Sequence, residues 1–583
     1  MKRMLKSWLV VPLLACMAAP ALMSQQKQND AAAVIRNLDI FNSVYKELNT
    51  FYVDTLNAQK SIEVAISSML NDIDPYTEYY PADNQDELLV ISSGEYGGIG
   101  SYIMQRKSGG VYISGPYEDS PANRAGLRMG DRIIMIDGDT VKDMPNNEAS
   151  KRLKGQVNTQ VTVTVQRPYD PDSLKTFVIT REKIKLNPVP FYGVARDGLG
   201  YINLATFNEH AAEGVKKAIE ELRKNPAVKY IVLDVRGNGG GLLEEAVKIV
   251  GFFVPKGTEV LHTKGRSIQN FKVYKTTEEP IAPKIPLVVM IDGATASSSE
   301  ITAGALQDLD RAVVIGSRSF GKGLVQATRQ LPYGGLMKVT IAKYYIPSGR
   351  LIQEIDYSHR NADGSAMRVA DSLATVYHTA HGREVRGGGG ITPDVKIDYP
   401  EMNRLVYNIV RDNWAFDFAT KYAAEHPTVP AAKDFRITDE IFNDFKAFID
   451  PKKFDYDKVC EQGLETLKKT AELEGYMDDS TKAEFARLST LLKHDLEHDL
   501  DNNRKSIETL LSSEIMKRYY FDRGEIENSL IQDKTLDKAL EIFTTPGEYE
   551  RILNLGAKAA KSKKTLTAAR CPRPSKVSSK AGA

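Results

Sequence analysis

The spacing of hydrophobic and polar positions changes several times along the chain, and each change marks a predicted region. Residues 30–85 carry apolar side chains at helical spacing, among them Val34, Leu38 and Phe41, which predicts amphipathic helices. Residues 94–182 combine short apolar runs with glycine turns, which indicates a small β-rich domain. Residues 401–555 contain few glycines and long charged stretches at helical spacing, so a helical C-terminal region is predicted.

Short, continuous apolar runs alternate with helical patterns between residues 198 and 326. The runs at 230–235, 287–291 and 312–315 are bounded by turn-forming residues. A strand that is buried on both faces has this pattern. The alternation predicts an α/β core with a mainly parallel sheet, whose functional residues lie beyond the carboxyl ends of the strands.

Two of these predicted strands lead into residues that could do chemistry together. The first is followed by a turn, a run of small residues with Ser297, and a helical pattern. A helix N-terminus favours developing negative charge because its first N–H groups have no helical acceptor. The second leads into a glycine-bounded loop that holds Lys322, with Gln326 four residues later. A lysine can take the proton of a serine hydroxyl where burial disfavours its own charged form.

The segments SSSEITAGALQD and GSRSFGKGLVQ together resemble the serine–lysine signature of the C-terminal processing, or tail-specific, proteases. The resemblance covers about residues 35–400 and implies a protease core of crotonase/ClpP-like architecture. It also implies that Ser297 is the nucleophile, Lys322 its general base, and Gln326 the residue that positions the base. The family usually has Ser-Ala-Ser-Ala-Ser-Glu where this chain has Thr-Ala-Ser-Ser-Ser-Glu, so Ser299 and Ser298 are alternatives that rank behind Ser297.

A glycine-rich turn, RGNGGGLL at 236–243, follows another predicted strand. It matches neither the GxGxxG pattern nor the P-loop, which argues against a nucleotide site. In the protease family the matching segment donates a backbone N–H to the oxyanion hole. The resemblance implies that Gly240, or a neighbouring glycine, does so together with the N–H of Ser298. Each such donor lowers the barrier by about 3 kcal/mol.

Residues 86–185 resemble a PDZ domain, most clearly in the segment SPANRAGLRMGDRIIMIDG. A PDZ domain binds a peptide as an added strand, and N–H groups of a glycine loop hold its terminal carboxylate. The resemblance implies that Gly98, Ile99 and Gly100 form this loop and that Ile103 lines the apolar pocket. The domain would recognise or gate substrates with free, apolar C-termini; a spacer role is the alternative.

Composition and charge indicate the class of protein, and the N-terminal residues indicate its location. The chain has 583 residues, 42% of them hydrophobic and 26% charged, with a net charge of +1, which is typical of a globular protein and does not indicate nucleic-acid binding. Residues 1–24 place three basic residues before an apolar run broken by prolines. This pattern predicts a signal peptide and a periplasmic or other extracytoplasmic location. A lipid anchor at Cys16 is the alternative.

No pattern predicts a metal ion or a cofactor. His359, His378 and His381 are irregularly spaced in residues 354–386, which form an insertion relative to the family pattern. His494 and His498 lie four residues apart but lack the HExxH order of a zinc site. Surface histidines are the better interpretation in both places.

The predicted order is a signal peptide (1–24), an N-terminal helical region (25–85), a PDZ domain (86–185), a serine protease core (186–400), a C-terminal helical domain (401–556) and a basic disordered tail (557–583). The expected function is an envelope-side serine endopeptidase that cleaves proteins near their C-termini. The helical domain lies outside the resemblance and would provide packing, contacts of a homo-oligomer or a site for an envelope adaptor. A PDZ-bearing scaffold with an inactive core and an acyl-CoA enzyme are the alternatives, but the intact Ser297, Lys322 and Gln326 favour the peptidase.

Overall fold

The computed structural model describes residues 10–142, 144–361, 363, 365–368, 374–399 and 402–555, and side chains from residue 31 onward except at 86, 87, 89 and 91. Residues 1–9 of the predicted signal peptide and the predicted tail at 557–583 therefore lie outside the described residues. Contacts divide the chain into two units. One contains the residues up to 83 together with 327–339, and the other contains 84–326 and the residues from 340 onward.

The first unit contains the predicted N-terminal helices. Its elements are α1 (Val10–Phe51), α2 (Ala58–Ile73) and β1 (Glu78–Tyr80), and β1 pairs antiparallel with residues 336–338. Asn57 caps α2 because its side chain accepts the N–H of Lys60 at 2.9 Å. The helical prediction is confirmed here. The apolar side chains of α1 are nevertheless exposed within this unit; Leu38, for example, is 61% exposed.

The second unit begins with the β-rich domain. Its elements are α3 (Asp86–Ser93), β2 (Glu95–Gly98), β3 (Ser101–Gln105), β4 (Val111–Pro116), α4 (Pro121–Ala125), β5 (Arg132–Ile136), β6 (Asp139–Thr140), α5 (Asn146–Leu153), β7 (Gln160–Gln166), β8 (Leu174–Thr180) and β9 (Glu182–Lys185). The sheet has the order β3-β4-β5-β7-β8, with β6 on β5, and β3 is an edge strand. β2 and β9 form a separate antiparallel ribbon, so the chain enters and leaves this domain side by side.

The central region follows. Its elements are β10 (Phe191–Arg196), β11 (Leu199–Asn203), α6 (Ala211–Lys224), β12 (Tyr230–Asp234), α7 (Leu243–Gly251), β13 (Glu259–Lys264), β14 (Lys272–Lys275), β15 (Leu287–Ile291), α8 (Ser298–Asp308), β16 (Val313–Gly316), β17 (Leu324–Gln330), β18 (Leu336–Tyr345), β19 (Ile355–Arg360), β20 (Ala366–Arg368), β21 (Val376–His378), β22 (Glu384–Arg386) and β23 (Val395–Lys396). The segment predicted as an insertion thus forms two small hairpins, β19–β20 and β21–β22.

A six-stranded sheet with the order β10-β11-β12-β15-β16-β23 lies at the centre of this region. β10 is antiparallel to β11, and the other neighbouring strands are parallel. The carboxyl ends of β12, β15 and β16 therefore meet at one edge. The glycine turn, the serine segment and the lysine loop follow these three strands in turn, so the topology collects them at that edge.

The C-terminal region is helical, as predicted. Its helices are α9 (Arg404–Arg411), α10 (Trp414–Glu425), α11 (Asp439–Phe448), α12 (Val459–Leu473), α13 (Asp479–Leu491), α14 (Leu496–Asn502), α15 (Arg504–Ser529), α16 (Lys534–Thr544) and α17 (Glu548–Ile552). α9–α11, α14 and the first part of α15 share one apolar core. α15 kinks at Phe521, whose φ is +57°. None of the described helices has an apolar stretch long enough to cross a membrane.

The two faces of the six-stranded sheet are covered by different parts of the chain. α6, α7 and α8 pack on one face. On the other face, side chains of α16 and α17, such as Ile542 and Tyr549, pack against Val232, Val288 and Val313. Helices of the predicted C-terminal domain thus also contribute to the core of the protease region. A sheet of apolar strands needs a cover on both faces, and the C-terminal helices supply the second one.

Candidate functional site

Ser297 lies where the end of β15 turns into α8. Its φ is +56° and its ψ is −117°, a conformation that is strained for any residue with a Cβ and that often marks a functional site. α8 is buried along its whole length, whereas Ser297 is only half-buried. The hydroxyl is thus presented at the N-terminus of a fixed helix.

The neighbouring serines have structural roles. Ser298 Oγ donates to the carbonyl of Gly241 at 2.8 Å, and Ser299 Oγ donates to the carbonyl of Asn238 at 2.9 Å. Both side chains are almost fully buried. Their hydroxyl protons hold the serine segment to the glycine turn, so Ser297 is the best candidate nucleophile of the three.

Glu300 connects the serine segment to the lysine loop. One carboxylate oxygen accepts the N–H of Ser297 at 2.9 Å and the N–H of Lys322 at 2.8 Å. The other accepts the N–H of Gly321 at 2.7 Å and the hydroxyl of Ser319 at 2.5 Å. Burial raises the pKa of the Glu300 carboxyl, and the hydrogen bonds from Ser319 and the backbone oppose that rise. A single buried carboxylate thus fixes the backbones of both dyad candidates.

Tyr344 on β18 makes a second connection between the same two residues. Its hydroxyl lies 2.8 Å from the carbonyl oxygen of Lys322 and 3.3 Å from that of Ser297. Burial raises the pKa of this hydroxyl well above its ordinary value, so Tyr344 remains a proton donor. Sequence reasoning did not single out Glu300 or Tyr344. A glutamate three residues after a serine, at the start of a helix, is a capping-box pattern that could have indicated Glu300.

Gln326 is half-buried on β17, and its Nε2 donates to Thr340 Oγ1 on β18 at 3.2 Å. The amide is therefore anchored to the strand that also carries Tyr344. Its role in positioning the amine of Lys322 stays a prediction.

The glycine turn after β12 lies directly against the serine segment. Gly240 has a φ of +99°, and a Cβ at this position would lie 2.8 Å from Ser297 Cβ and 2.9 Å from the N of Ser298. Only glycine fits there. Ser298 is the first residue of α8, where N–H groups have no helical acceptor.

The structure differs from expectation at the Gly240 N–H. This group donates to Asn238 Oδ1 at 2.9 Å, so in this conformation it is held within the turn. Asn238 is buried, and its Nδ2 donates to the carbonyl of Leu204. The predicted pairing of the Gly240 and Ser298 N–H groups as an oxyanion hole thus requires the Gly240 N–H to leave, or share, the Asn238 oxygen.

Ion pairs of Arg236 also hold the glycine turn in place. Arg236 pairs with Asp234 and with Asp533, each at 2.6 Å. Burial opposes the charge of Arg236, but the two carboxylates outweigh it and raise its pKa. Asp533 caps α16. The turn is therefore tied to the helices that cover the second face of the sheet.

The predicted PDZ loop is also closely packed. A Cβ on Gly100 would lie 2.6 Å from Ser120 Cβ, and one on Gly98 would lie 2.8 Å from the ring of Tyr96. Ile99 is 2% exposed and belongs to the apolar core of the domain, against which the half-buried Ile103 also packs. Ile99 can thus contribute its backbone to a peptide site, whereas Ile103 lies on the edge strand β3. Peptide binding at these residues stays a prediction.

Two of the histidines singled out from the sequence lie beside carboxylates. His359 Nδ1 lies 2.7 Å from an Asp356 carboxylate oxygen, and His494 Nδ1 lies 3.1 Å from a Glu461 oxygen. Across the part of the chain that the structure describes, no group of three His, Cys, Asp or Glu side chains could hold a metal ion.

Comparisons with known proteins identify the family. Residues 198–358 match "Peptidase family S41", residues 112–167 match "PDZ domain", and residues 405–543 match "Probable PDZ-protease, C-terminal helical domain". A carboxy-terminal-processing protease of Bartonella bacilliformis is 35% identical over 340 residues, which are 58% of this chain and 76% of the relative. The chain belongs to the carboxy-terminal-processing proteases. The resemblance inferred from the sequence is thereby confirmed.

A second relative agrees with this family. A probable CtpA-like serine protease of Staphylococcus aureus is 33% identical over 384 residues, 65% of this chain and 68% of the relative. Among solved structures, the photosystem II D1 C-terminal processing protease is 28% identical, with a TM-score of 0.35, over 61% of this chain and 92% of that chain. The family matches and the two relatives show that this chain is a serine-type peptidase with a PDZ domain. Its helical region belongs to the family pattern as well, contrary to the prediction that the pattern ends near residue 400.

Replacing Glu300 with glutamine is expected to lower kcat about 100-fold, the size of effect that a small misplacement of catalytic groups produces. An amide NH₂ cannot accept hydrogen bonds, so it would face two of the four donors that now converge on Glu300. Steady-state kinetics together with thermal unfolding would measure this change. Glu244→Gln, at an exposed carboxylate on α7, is the matched control. A Glu300→Gln enzyme with wild-type kcat would show that other contacts hold the two loops.

Proposed function

We propose that this protein is an endopeptidase that trims proteins near their C-termini with a Ser297–Lys322 dyad. The observation that carries the proposal is the convergence of the Ser297 and Lys322 backbones on Glu300 and Tyr344. The neutral amine of Lys322 takes the hydroxyl proton as Ser297 Oγ attacks the scissile carbonyl carbon. The proton then passes to the leaving amine, and water hydrolyses the resulting acyl-enzyme. Gln326 positions the amine.

The oxyanion of the tetrahedral intermediate would be stabilised by the N–H of Ser298 and by an N–H of the glycine turn. Gly240 supplies the second donor if its N–H leaves Asn238 Oδ1 when substrate binds; a neighbouring glycine of the turn is the alternative. The close approach of Gly240 to Ser297 supports this assignment. The crotonase/ClpP-like architecture of the core is part of the same proposal.

The PDZ domain would bind a substrate C-terminus at Gly98, Ile99, Gly100 and Ile103 and gate access to the dyad. Two sets of contacts that join this domain to the C-terminal helices support a gating role. Arg106 forms a bidentate pair with Asp417 at 3.0 and 2.5 Å, and Arg523 lies 3.3 Å from Glu118. Polar contacts of this kind between domains permit the relative motion that gating by a bound peptide needs.

Peptides with a free, apolar C-terminus are expected to be cleaved faster than the same peptides with an amidated C-terminus. The loop N–H groups would stabilise a carboxylate but gain little from a neutral amide, so we expect about a tenfold difference in kcat/KM, equal to about 1.4 kcal/mol. Parallel assays on both peptides measure this, with a PDZ-deleted enzyme as the control. Equal rates of cleavage of both peptides by the wild-type enzyme would indicate that the PDZ domain acts only as a spacer.

The proposed location is the periplasm or another extracytoplasmic compartment, reached through the signal peptide at 1–24, with a lipid anchor at Cys16 as the alternative. The C-terminal helices would also be available to an envelope adaptor. The sequence pattern of the N-terminus supports the proposed location.

The protein is further proposed to be a homo-oligomer that assembles through α1. Apolar side chains recur there at alternating steps of four and three, at Val34, Leu38, Phe41, Tyr45 and Leu48, and all except the half-buried Tyr45 are exposed. This is the spacing of a coiled-coil seam. The four charged residues between them, Arg36, Asp39, Lys46 and Glu47, all fall off the seam. A helix that lies on a membrane has a basic polar face, whereas this one is balanced, which favours a second copy of the chain.

Leu38→Glu is expected to convert this oligomer into monomers, because it buries a charge in the seam of every copy. Sedimentation velocity at micromolar concentration would measure the mass against the 64.7 kDa of the chain. Ser43→Glu introduces the same charge on the exposed outer face of α1 and should leave the mass unchanged. A wild-type protein that sediments as a monomer would rule out the seam.

A further inference from the structure

One hairpin of the protease region has an unusual surface. This basic hairpin consists of β13, the tip residues 265–271 and β14, and its strands pair from Glu259–Lys275 to Thr263–Lys272. At the tip, Ile268 is 87% exposed and Phe271 is 52% exposed. Two exposed apolar side chains three residues apart at the tip of one hairpin form a small apolar patch, which is the kind of surface that can contact a partner.

The same hairpin concentrates positive charge in a chain whose net charge is only +1. Lys264, Arg266, Lys272 and Lys275 are all exposed, and no acidic residue lies between 260 and 275. On the neighbouring strand β18, the exposed Lys343 stands directly opposite Lys264. Within the described residues, none of these five side chains forms an ion pair with a carboxylate. This contrasts with the many paired lysines and arginines elsewhere in the protein.

The Lys264–Lys343 pair has a cost for stability, because like charges directly opposite each other on neighbouring strands destabilise a sheet. The amines of Lys264 and Lys272 lie over aromatic rings and not beside carboxylates. Lys264 Nζ lies 4.8 Å from the centre of the Tyr345 ring, and Lys272 Nζ lies 4.3 Å from that of Tyr274. Such contacts orient the cations but leave their charge uncompensated. The five positive charges are therefore available to an anionic partner outside the chain.

We propose that the basic hairpin docks on a lipid bilayer that contains anionic head groups. Ile268 and Phe271 would enter the interface, and the five basic side chains would lie at head-group level, with their aliphatic stems along the apolar boundary. An acidic protein would match the charge but would not explain two exposed apolar side chains at the tip of the same hairpin. The positive charge and the exposed apolar side chains together favour an anionic bilayer over an acidic protein as the partner.

The hairpin is hydrogen-bonded to β18, the strand that also carries Tyr344. Asn270 Nδ2 donates to the carbonyl of Ile341 at 3.0 Å, and Thr263 Oγ1 donates to the carbonyl of Asn270 at 2.7 Å. Ile341 follows Thr340, which accepts the amide of Gln326. Docking would therefore hold the peptidase site at a fixed distance from the membrane surface and favour substrates that are attached to it.

Vesicle co-sedimentation tests the proposal. The purified protein is mixed with vesicles of phosphatidylcholine alone, or with a quarter of phosphatidylglycerol, and the measured quantity is the difference in bound fraction. Because the comparison is between two vesicle types, binding through any uncharged apolar surface cancels. We expect about tenfold tighter binding to the anionic vesicles, weakened by salt. Lys264→Gln/Lys272→Gln and Ile268→Asp should each remove most of that difference.

The control is Lys216→Gln/Lys217→Gln, which changes the net charge equally at two exposed lysines on α6 and should bind like wild type. Cleavage of a soluble, uncharged peptide should be the same in all variants. Lys264→Gln should also unfold at the same or a higher temperature, because it removes the like-charge pair. Equal binding of wild type to both vesicle types would overturn the proposal, as would an equal loss in the control. So would a hairpin variant that binds anionic vesicles normally but loses cleavage of acidic peptides, since the partner would then be a protein.

Discussion

Ser297→Ala and Lys322→Ala are each expected to reduce peptidase activity by about four to six orders of magnitude, the range seen when one member of a nucleophile–base unit is removed. Alanine at 297 leaves no nucleophile, and alanine at 322 leaves no base to take the proton. Because the two residues act in one step, the double variant should be little worse than either single variant. Cleavage of a fluorogenic peptide, followed at the same protein concentration for all variants, measures the loss.

The Lys322→Arg variant tests whether Lys322 acts as a base or only supplies a positive charge. Arginine cannot lose its proton at any pH that the protein tolerates, so this variant should be as inactive as Lys322→Ala. Ser299→Ala is the matched control on the serine side: it removes a buried hydroxyl that bonds to Asn238, so stability should fall while substantial activity remains. An active Lys322→Arg enzyme would eliminate the lysine-base mechanism. An inactive Ser299→Ala enzyme with wild-type stability would move the nucleophile to Ser299.

A chain that ends at Ser529 is expected to lose its folded protease core. It lacks α16 and α17, so the sheet face formed by Val232, Val288 and Val313 would be exposed to water. Each large apolar side chain that is removed from this contact contributes about 1.5–3 kcal/mol. The loss of five of them, Leu536, Ile542, Phe543, Tyr549 and Leu553, approaches the whole stability of a typical domain, about 5–15 kcal/mol. Thermal unfolding and solubility would show the effect.

A chain that ends at Leu555 is the control for this truncation. It keeps both helices and removes only residues 556–583, so its unfolding temperature should equal that of the full chain. A milder test is Phe543→Ala, since this side chain is 8% exposed and stacks on Tyr230 at 4.6 Å; its expected cost is about 3–5 kcal/mol. A soluble Ser529-terminated chain that unfolds at the wild-type temperature would show that the core folds without these helices.

The local layout of the candidate site was predictable because its motifs are short and continuous. A strand, a turn, small residues and a helix determine where Ser297 lies, and the glycine-bounded loop does the same for Lys322. Parallel strands then bring both to one sheet edge. The PDZ domain was recognisable for the same reason, since its most characteristic segment, SPANRAGLRMGDRIIMIDG, is continuous in the sequence.

Other parts of the site were not predictable, because they depend on contacts between distant segments. Glu300 is only three residues from Ser297 in the chain, but its hydrogen bond to the N–H of Lys322 exists only after two strands pair. Tyr344 lies 47 residues from Ser297, and no local pattern links a strand tyrosine to two carbonyl groups. The N–H of Gly240 has a local acceptor in Asn238, yet whether the turn adopts that bond depends on the packing of Asn238 against Leu204.

The sequence by itself determined the order of regions, the α/β pattern of the core and the chemical identity of the dyad candidates, because these properties reside in consecutive residues. Only the tertiary structure decided that α16 and α17 complete the protease core and that α1 leaves its apolar face exposed within its own unit. The reason is physical. Helical periodicity shows that a helix has an apolar face, but which surface covers that face depends on segments that can be hundreds of residues away.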